Sequence, residues 1–184
     1  MATQHNDPKL DVPPELQEAW TAHKEIVKYG TLVLRQTAQP VKRITKETQD
    51  LIKRMERVMR DASGLGLAAP QVGVSERVIV YDAGEGFRVL INPQIVSMRG
   101  EQLEPHEGCL SIPGLQGQVK RAMEIKVKGY DARNKIIVKK VTGLEARVIQ
   151  HEIDHLDGVL FIDRADPETL EWVWGDEDDE REGV

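Results

Sequence analysis

The chain has 184 residues, enough for one domain of ordinary size and too few for two full ones. Its apolar content of 40% supports a packed core and excludes a disordered chain, and no apolar run approaches the ~18 residues of a membrane helix. The net charge of −6 is concentrated in Asp176–Glu182 (DEDDERE), with six acids and one arginine; the rest is nearly neutral, with no general attraction for nucleic acid or an anionic membrane.

The opening MATQHNDPKLD has no basic start and no apolar centre, unlike a secretory signal, and it lacks the Arg-rich character of a transit peptide. A single cysteine forms no internal disulfide, which predicts a cytoplasmic protein with Cys109 free, buried or bound to metal. Pro13-Pro14 is expected to open an amphipathic helix reaching Lys28, with Leu16, Trp20 and Ile26 as its apolar positions. An extended piece over 32–35 follows, then a helix from Thr45 to Ala62. In that helix Leu51, Ile52, Met55, Val58 and Met59 recur at helical spacing, and Gly64 lies just past its end. Residues 77–143 read as strands: RVIVYD, FRVLIN, QIVSM, a Gly/Pro-rich loop over 105–117, and KRAMEIKVKGYD paired with KIIVKKV. A final helix runs from Leu144 to Asp157 and stops at Gly158. The pattern is α+β, with mainly antiparallel sheets packed around a central C-terminal helix. The expected organisation is an N-terminal extension (1–28), a catalytic domain (29–165) and an acidic, partly disordered tail (166–184), in which Trp172 and Trp174 are candidates to pack on the body.

The final helix carries His151-Glu-Ile-Asp-His155. At about 100° per residue, positions four apart differ by only about 40°, so both imidazoles face one point, as ligands of a divalent metal do. Glu152 lies beside that face, placed to take a proton from a metal-activated water without binding the ion. Leu144 and Val148 share the histidines' stripe and turn the pair inward, where unligated histidines would be costly. Ile149, Ile153 and Leu156 widen the buried arc, leaving Arg147, Gln150, Asp154 and Asp157 for solvent.

Two histidines leave a ligand to be found. The HExxHxxGxxH pattern of one metalloprotease class reaches Gly158 but then meets Phe161 where a third histidine would stand. Cys109, in the loop EGCLSIP, is the favoured third ligand, with the fourth position open to water; His106 is taken as a surface loop residue. Gly64-Leu-Gly-Leu-Ala-Ala-Pro-Gln71-Val-Gly matches neither common phosphate-binding motif and reads as backbone that approaches a ligand closely, with Gln71 offering an amide. Leu65, Gly66, Leu144 and Val148 are the expected pocket residues. A zinc endopeptidase would need a downstream His or Glu ligand, and a closed structural site would need a fourth protein ligand.

GLGLAAPQVG, EGCLSIP and QHEIDHLDG, in this order and spacing, closely resemble the three signature segments of the bacterial peptide deformylases, with the likeness running from about residue 29 to 163. The resemblance implies removal of the formyl group from N-formyl-methionine at the start of newly made polypeptides. It implies Cys109, His151 and His155 as metal ligands, Glu152 as general acid/base, and the Gln71 side chain with the Leu110 backbone N–H as donors to the formyl oxygen. It further implies Fe(II) in the cell, replaceable by zinc or nickel. Some members of the family dock on the ribosome through a basic C-terminal helix; the acidic end here departs from that, so any ribosome association is expected to be weak and transient and independent of the tail. No specific nucleic acid and no membrane are expected as partners.

Overall fold

The computed structural model describes residues 9–173; the acidic run Asp176–Glu182 and Trp174 lie outside them. Among the described residues three α-helices, α1 (Gln17–Thr21), α2 (Lys46–Asp61) and α3 (Gly143–Leu156), accompany eight strands. These are β1 (Gly66–Ala68), β2 (Val78–Tyr81), β3 (Arg88–Arg99), β4 (Gln102–Cys109), β5 (Ile112–Arg121), β6 (Glu124–Tyr130), β7 (Ile136–Thr142) and β8 (Glu171–Trp172). They form a five-stranded antiparallel sheet in the order β1-β2-β3-β6-β7 and a three-stranded antiparallel sheet β4-β5-β8. No helix among the described residues is long and apolar enough to cross a membrane.

At β2 the larger sheet is covered on both faces. All four residues of Val78-Ile-Val-Tyr81 are buried, and alternation sends them to opposite sides. Ile79 and Tyr81 join Ala146, Ile149, Ile153 and Leu156 of α3, while Val78 and Val80 meet Ile52, Met55, Val58 and Met59 of α2. A third cluster, with Leu34, Ile112, Leu115, Val119, Leu160 and Phe161, lies under the smaller sheet. The buried apolar residues of helix α3 all belong to the first of these clusters, and its remaining sides meet polar groups. The sequence expectation that Gln150 and Asp154 face solvent is wrong: both are 7% exposed. Gln150 accepts from Ala122 N (2.9 Å) and donates to Ala122 O and Ala146 O, and Asp154 is held by two arginines, so their burial leaves these polar groups paired.

Three further expectations need correction. The first helix ends at Thr21, not Lys28. His23 takes a left-handed conformation (φ 48°), and the chain turns inward so that Val27 N donates to Gln71 O (2.8 Å) and Tyr29 N to Ser111 O (3.0 Å). Those tertiary bonds replace the helical ones that local propensity favours. Residues Leu32–Arg35 form a 3-10 turn with Leu34 buried, not an extended piece. The Gly/Pro-rich stretch 105–117 is not a loop: it supplies most of the β4–β5 hairpin. Gly117 is needed there because a Cβ would come within 2.8 Å of Leu170 and 3.3 Å of Ala165. At the far edge of that sheet β8 pairs with β5, and Trp172 packs edge-to-face on Trp20, with ring centroids 6.3 Å apart.

Candidate active site

Helix α3 presents His151 and Glu152 to a cleft of about 520 Å³, with His155 buried one turn further along, against Cys109. Cys109 ends β4, immediately before the turn Leu110-Ser111, and is carried by strand rather than loop. Its Sγ lies 3.2 Å from His155 Nε2 and accepts from Ser111 N (3.4 Å). One ligand atom from each of Cys109, His151 and His155 falls within 4.8 Å of the others. The two imidazoles meet edge-on, centroids 5.0 Å apart. His106 is on β4, its side chain 52% exposed and 3.9 Å from Glu171, and is not part of that group. Position 161, where a third histidine was sought, is a buried phenylalanine stacked on His151.

The Gly64–Gly73 segment is a short strand followed by a 3-10 turn (Ala69–Val72) that buries Gln71. Gln71 Oε1 accepts from Ala68 N (2.8 Å), which fixes the amide's orientation. Its Nε2 points at Ser111 Oγ (3.2 Å) and Cys109 Sγ (3.6 Å). Lys28 Nζ donates to the Leu110 carbonyl (3.4 Å) and holds the turn that follows Cys109. Leu65, Gly66, Leu110, Leu144 and Val148 all line the cleft. Gly66 does so for a definite reason: a Cβ there would approach Glu152 Cγ and Cδ to 2.9 Å. Because Glu152 is buried on a rigid helix, Gly66→Ala is expected to displace its carboxylate and lower kcat by about 10²-fold, measured by steady-state kinetics.

Burial shapes the electrostatics. It pushes the Glu152 carboxyl up to about 7, with the nearby His151 pulling the other way. Burial also resists a proton on His151, but its hydrogen bonds to Cys109 and Glu107 outweigh that and hold its pKa well above the usual value. His155, equally enclosed, is pushed well below. A divalent cation would fit this donor set, because one soft sulfur and two imidazoles converge beside the cleft. Glu152 Oε2 is buried with no hydrogen-bond partner, so the pocket lacks one polar group that the carboxylate could meet.

Sequence reasoning missed the groups that hold this constellation. Glu107 accepts from His151 Nδ1 (2.7 Å), turning the other ring nitrogen toward the ligand group. Arg121 grips Glu107 through Nε (3.1 Å) and Nη2 (2.5 Å) and reaches Asp154 through Nη1 (2.6 Å); Arg164 closes the chain on Asp154. Burial would raise the Glu107 pKa, yet these bonds outweigh it and bring it down to about 2. The one available signal was position: Glu107 stands two residues before Cys109. Removing Arg121 would leave Glu107 and Asp154 facing each other without their shared cation, so Arg121→Leu is expected to cost about 3–5 kcal/mol in urea unfolding.

An α+β scaffold whose central helix sets two imidazoles and a buried carboxylate against a thiolate defines a metal hydrolase of the HExxH kind. Comparison with known proteins narrows this. The sequence model described as polypeptide deformylase matches residues 23–171. A peptide deformylase of Desulfitobacterium hafniense is 52% identical over 141 residues, covering 77% of this chain and 93% of that protein. One of Halothermothrix orenii is 51% identical over 143 residues, covering 77% and 92%. The crystal structure of the Thermotoga maritima peptide deformylase superposes with a TM-score of 0.75 at 42% identity, covering 77% of this chain and 97% of that one. The chain belongs to the polypeptide deformylase family.

Proposed function

We propose that the chain removes the formyl group from N-formyl-methionine at the start of newly made polypeptides, with Cys109, His151 and His155 holding one divalent cation. The observation that carries this reading is the convergence of those three ligand atoms beside the partnerless carboxylate oxygen of Glu152, at the base of a cleft. A bound cation supplies Lewis-acid polarisation of a carbonyl oxygen and acidification of water. The protein supplies the rest. Glu152 takes a proton from the attacking water and returns it to the departing amine; a carboxyl titrating near neutrality suits both transfers. Gln71 Nε2 and the Leu110 N–H are the donors to the developing oxyanion, and pre-aiming of the amide by Ala68 N avoids reorganisation during reaction. The apolar walls of Leu65, Leu144 and Val148 receive the methionine side chain, with Gly66 leaving room beside Glu152.

In this reading residues 29–165 carry the catalytic apparatus, 1–28 are an extension and 166–184 an acidic tail. The enzyme works in the cytoplasm with Fe(II), which zinc or nickel can replace, and its association with ribosomes is weak and does not use the tail. The deciding experiment assays anaerobically purified protein on formyl-Met-Ala-Ser beside acetyl-Met-Ala-Ser, with metal analysis of the same sample. Turnover of the formyl peptide alone, with about one equivalent of metal, supports the proposal; equal turnover of both or of neither rejects it. The iron form is expected to lose activity in air or peroxide within hours, since both a redox-active ion and a thiolate are exposed to oxidant. An iron enzyme stable for days in air would count against Fe(II) on Cys109.

A further inference from the structure

The near-neutral body conceals a segregated charge. Strands β6 and β7 with their turn, residues 124–140, hold six cations against two acids in a chain whose net charge is −6. Both acids are committed: Glu124 to Lys140 (2.6 Å), and Asp131 Oδ1 to the backbone N–H groups of Arg133 and Lys135. The outer face of this sheet carries Lys126, Lys128 and Tyr130 on β6, directly opposite Lys140, Val138 and Ile136 on β7. All six are exposed. Lys126 stands directly opposite Lys140, and the Glu124 carboxylate offsets that like-charge contact for Lys140 only, so stability does not explain Lys126 and Lys128. Lysines on an edge strand deter strand pairing, which explains β7 but not Lys126 and Lys128 on the interior strand β6.

The face continues past Tyr130 into a recess lined by Lys42, Arg43, Asn92 and Asn134. Asn92, in a left-handed conformation (φ 51°), accepts from Val41 N (2.8 Å) and donates to Val41 O (2.9 Å), which fixes Lys42 and Arg43 beside the sheet. Among the described residues no ion pair joins Lys42, Arg43, Lys126 or Lys128. None of them lines the catalytic cleft.

We propose that this face binds the phosphate backbone of RNA. Two unpaired lysines on an exposed sheet face, continued by Lys42 and Arg43 in a polar recess with the exposed Tyr130 ring at its mouth, match a strand of phosphates with bases able to stack. A bilayer would engage the lysines and the apolar Ile136 and Val138 but has no use for the recess. The assignment does not depend on the catalytic reading.

The test uses the full-length, metal-loaded protein and a labelled single-stranded 20-nucleotide RNA of mixed sequence, read by fluorescence anisotropy. Engagement of about four phosphates gives a slope of log affinity against log salt near −3, so binding weakens about 50-fold between 50 and 200 mM salt. Lys126→Glu/Lys128→Glu should weaken binding at least tenfold and flatten that slope by about 1.4, while turnover of formyl-Met-Ala-Ser and the circular dichroism spectrum stay unchanged. Lys42→Glu/Arg43→Glu should do the same independently. The proposal is overturned by absence of RNA binding at 50 mM salt or by binding that both charge reversals leave intact. Equal or tighter binding to phosphatidylglycerol vesicles or poly-glutamate also overturns it.

Discussion

Glu152→Ala is expected to keep its metal and lose about 10² to 10⁴ in kcat on formyl-Met-Ala-Ser, the range for removal of a general base. Glu152 is 4% exposed and stands outside the three-residue ligand group, so its loss removes no ligand. Its position is prepared from two directions. Gly66 leaves the space that the side chain occupies, and burial raises the pKa of its carboxyl. The alanine variant also leaves a small void, so Glu152→Gln is the companion: it keeps shape and volume and removes only the proton transfer. Both variants should fall by similar factors in kcat at unchanged metal content by elemental analysis. Activity of the glutamine variant within tenfold of the parent would show that another base operates.

What the sequence made legible was local. The HExxH helix is contiguous, its period of 3.6 is carried by Leu144, Val148, Ile149 and Ile153, and motif and periodicity agree. Cys109 was reachable because a metal site with two ligands is incomplete and only one cysteine exists. The β4–β5 hairpin was hidden because its glycines serve close contacts between layers, such as Gly117 against Leu170, which look like loop composition until the neighbour is known. Helix α1 was overextended because the bonds from Val27 to Gln71 and from Tyr29 to Ser111 join segments far apart in the chain. The chain from His151 through Glu107, Arg121 and Asp154 was invisible for the same reason. Arg121 is 14 residues from one acid and 33 from the other, a spacing that belongs to no periodic element. The basic β6–β7 face was hidden in another way: a total close to zero for the body averages it away.

Cys109→Ala is expected to abolish metal retention, and with it activity, whereas His106→Ala should keep both. Cys109 contributes the only negative charge among the three ligand atoms; without it two neutral imidazoles face the cation, and the site is left with two protein ligands. Its Sγ is also the atom that Ser111 N meets, so alanine removes that acceptor, while Gln71 Nε2 keeps Ser111 Oγ. The loss of this ligand should lower metal content below about 0.1 equivalent after dialysis at neutral pH. The fold should persist, because Cys109 packs only at the margin of one of the three apolar clusters, and a circular dichroism spectrum matching the parent would separate metal loss from unfolding. His106 provides the control. It lies on the same strand, three residues away, with its side chain half in solvent and outside the ligand group. A metal-free His106→Ala protein, or a Cys109→Ala protein with a full equivalent of metal, would show that the ion is held elsewhere.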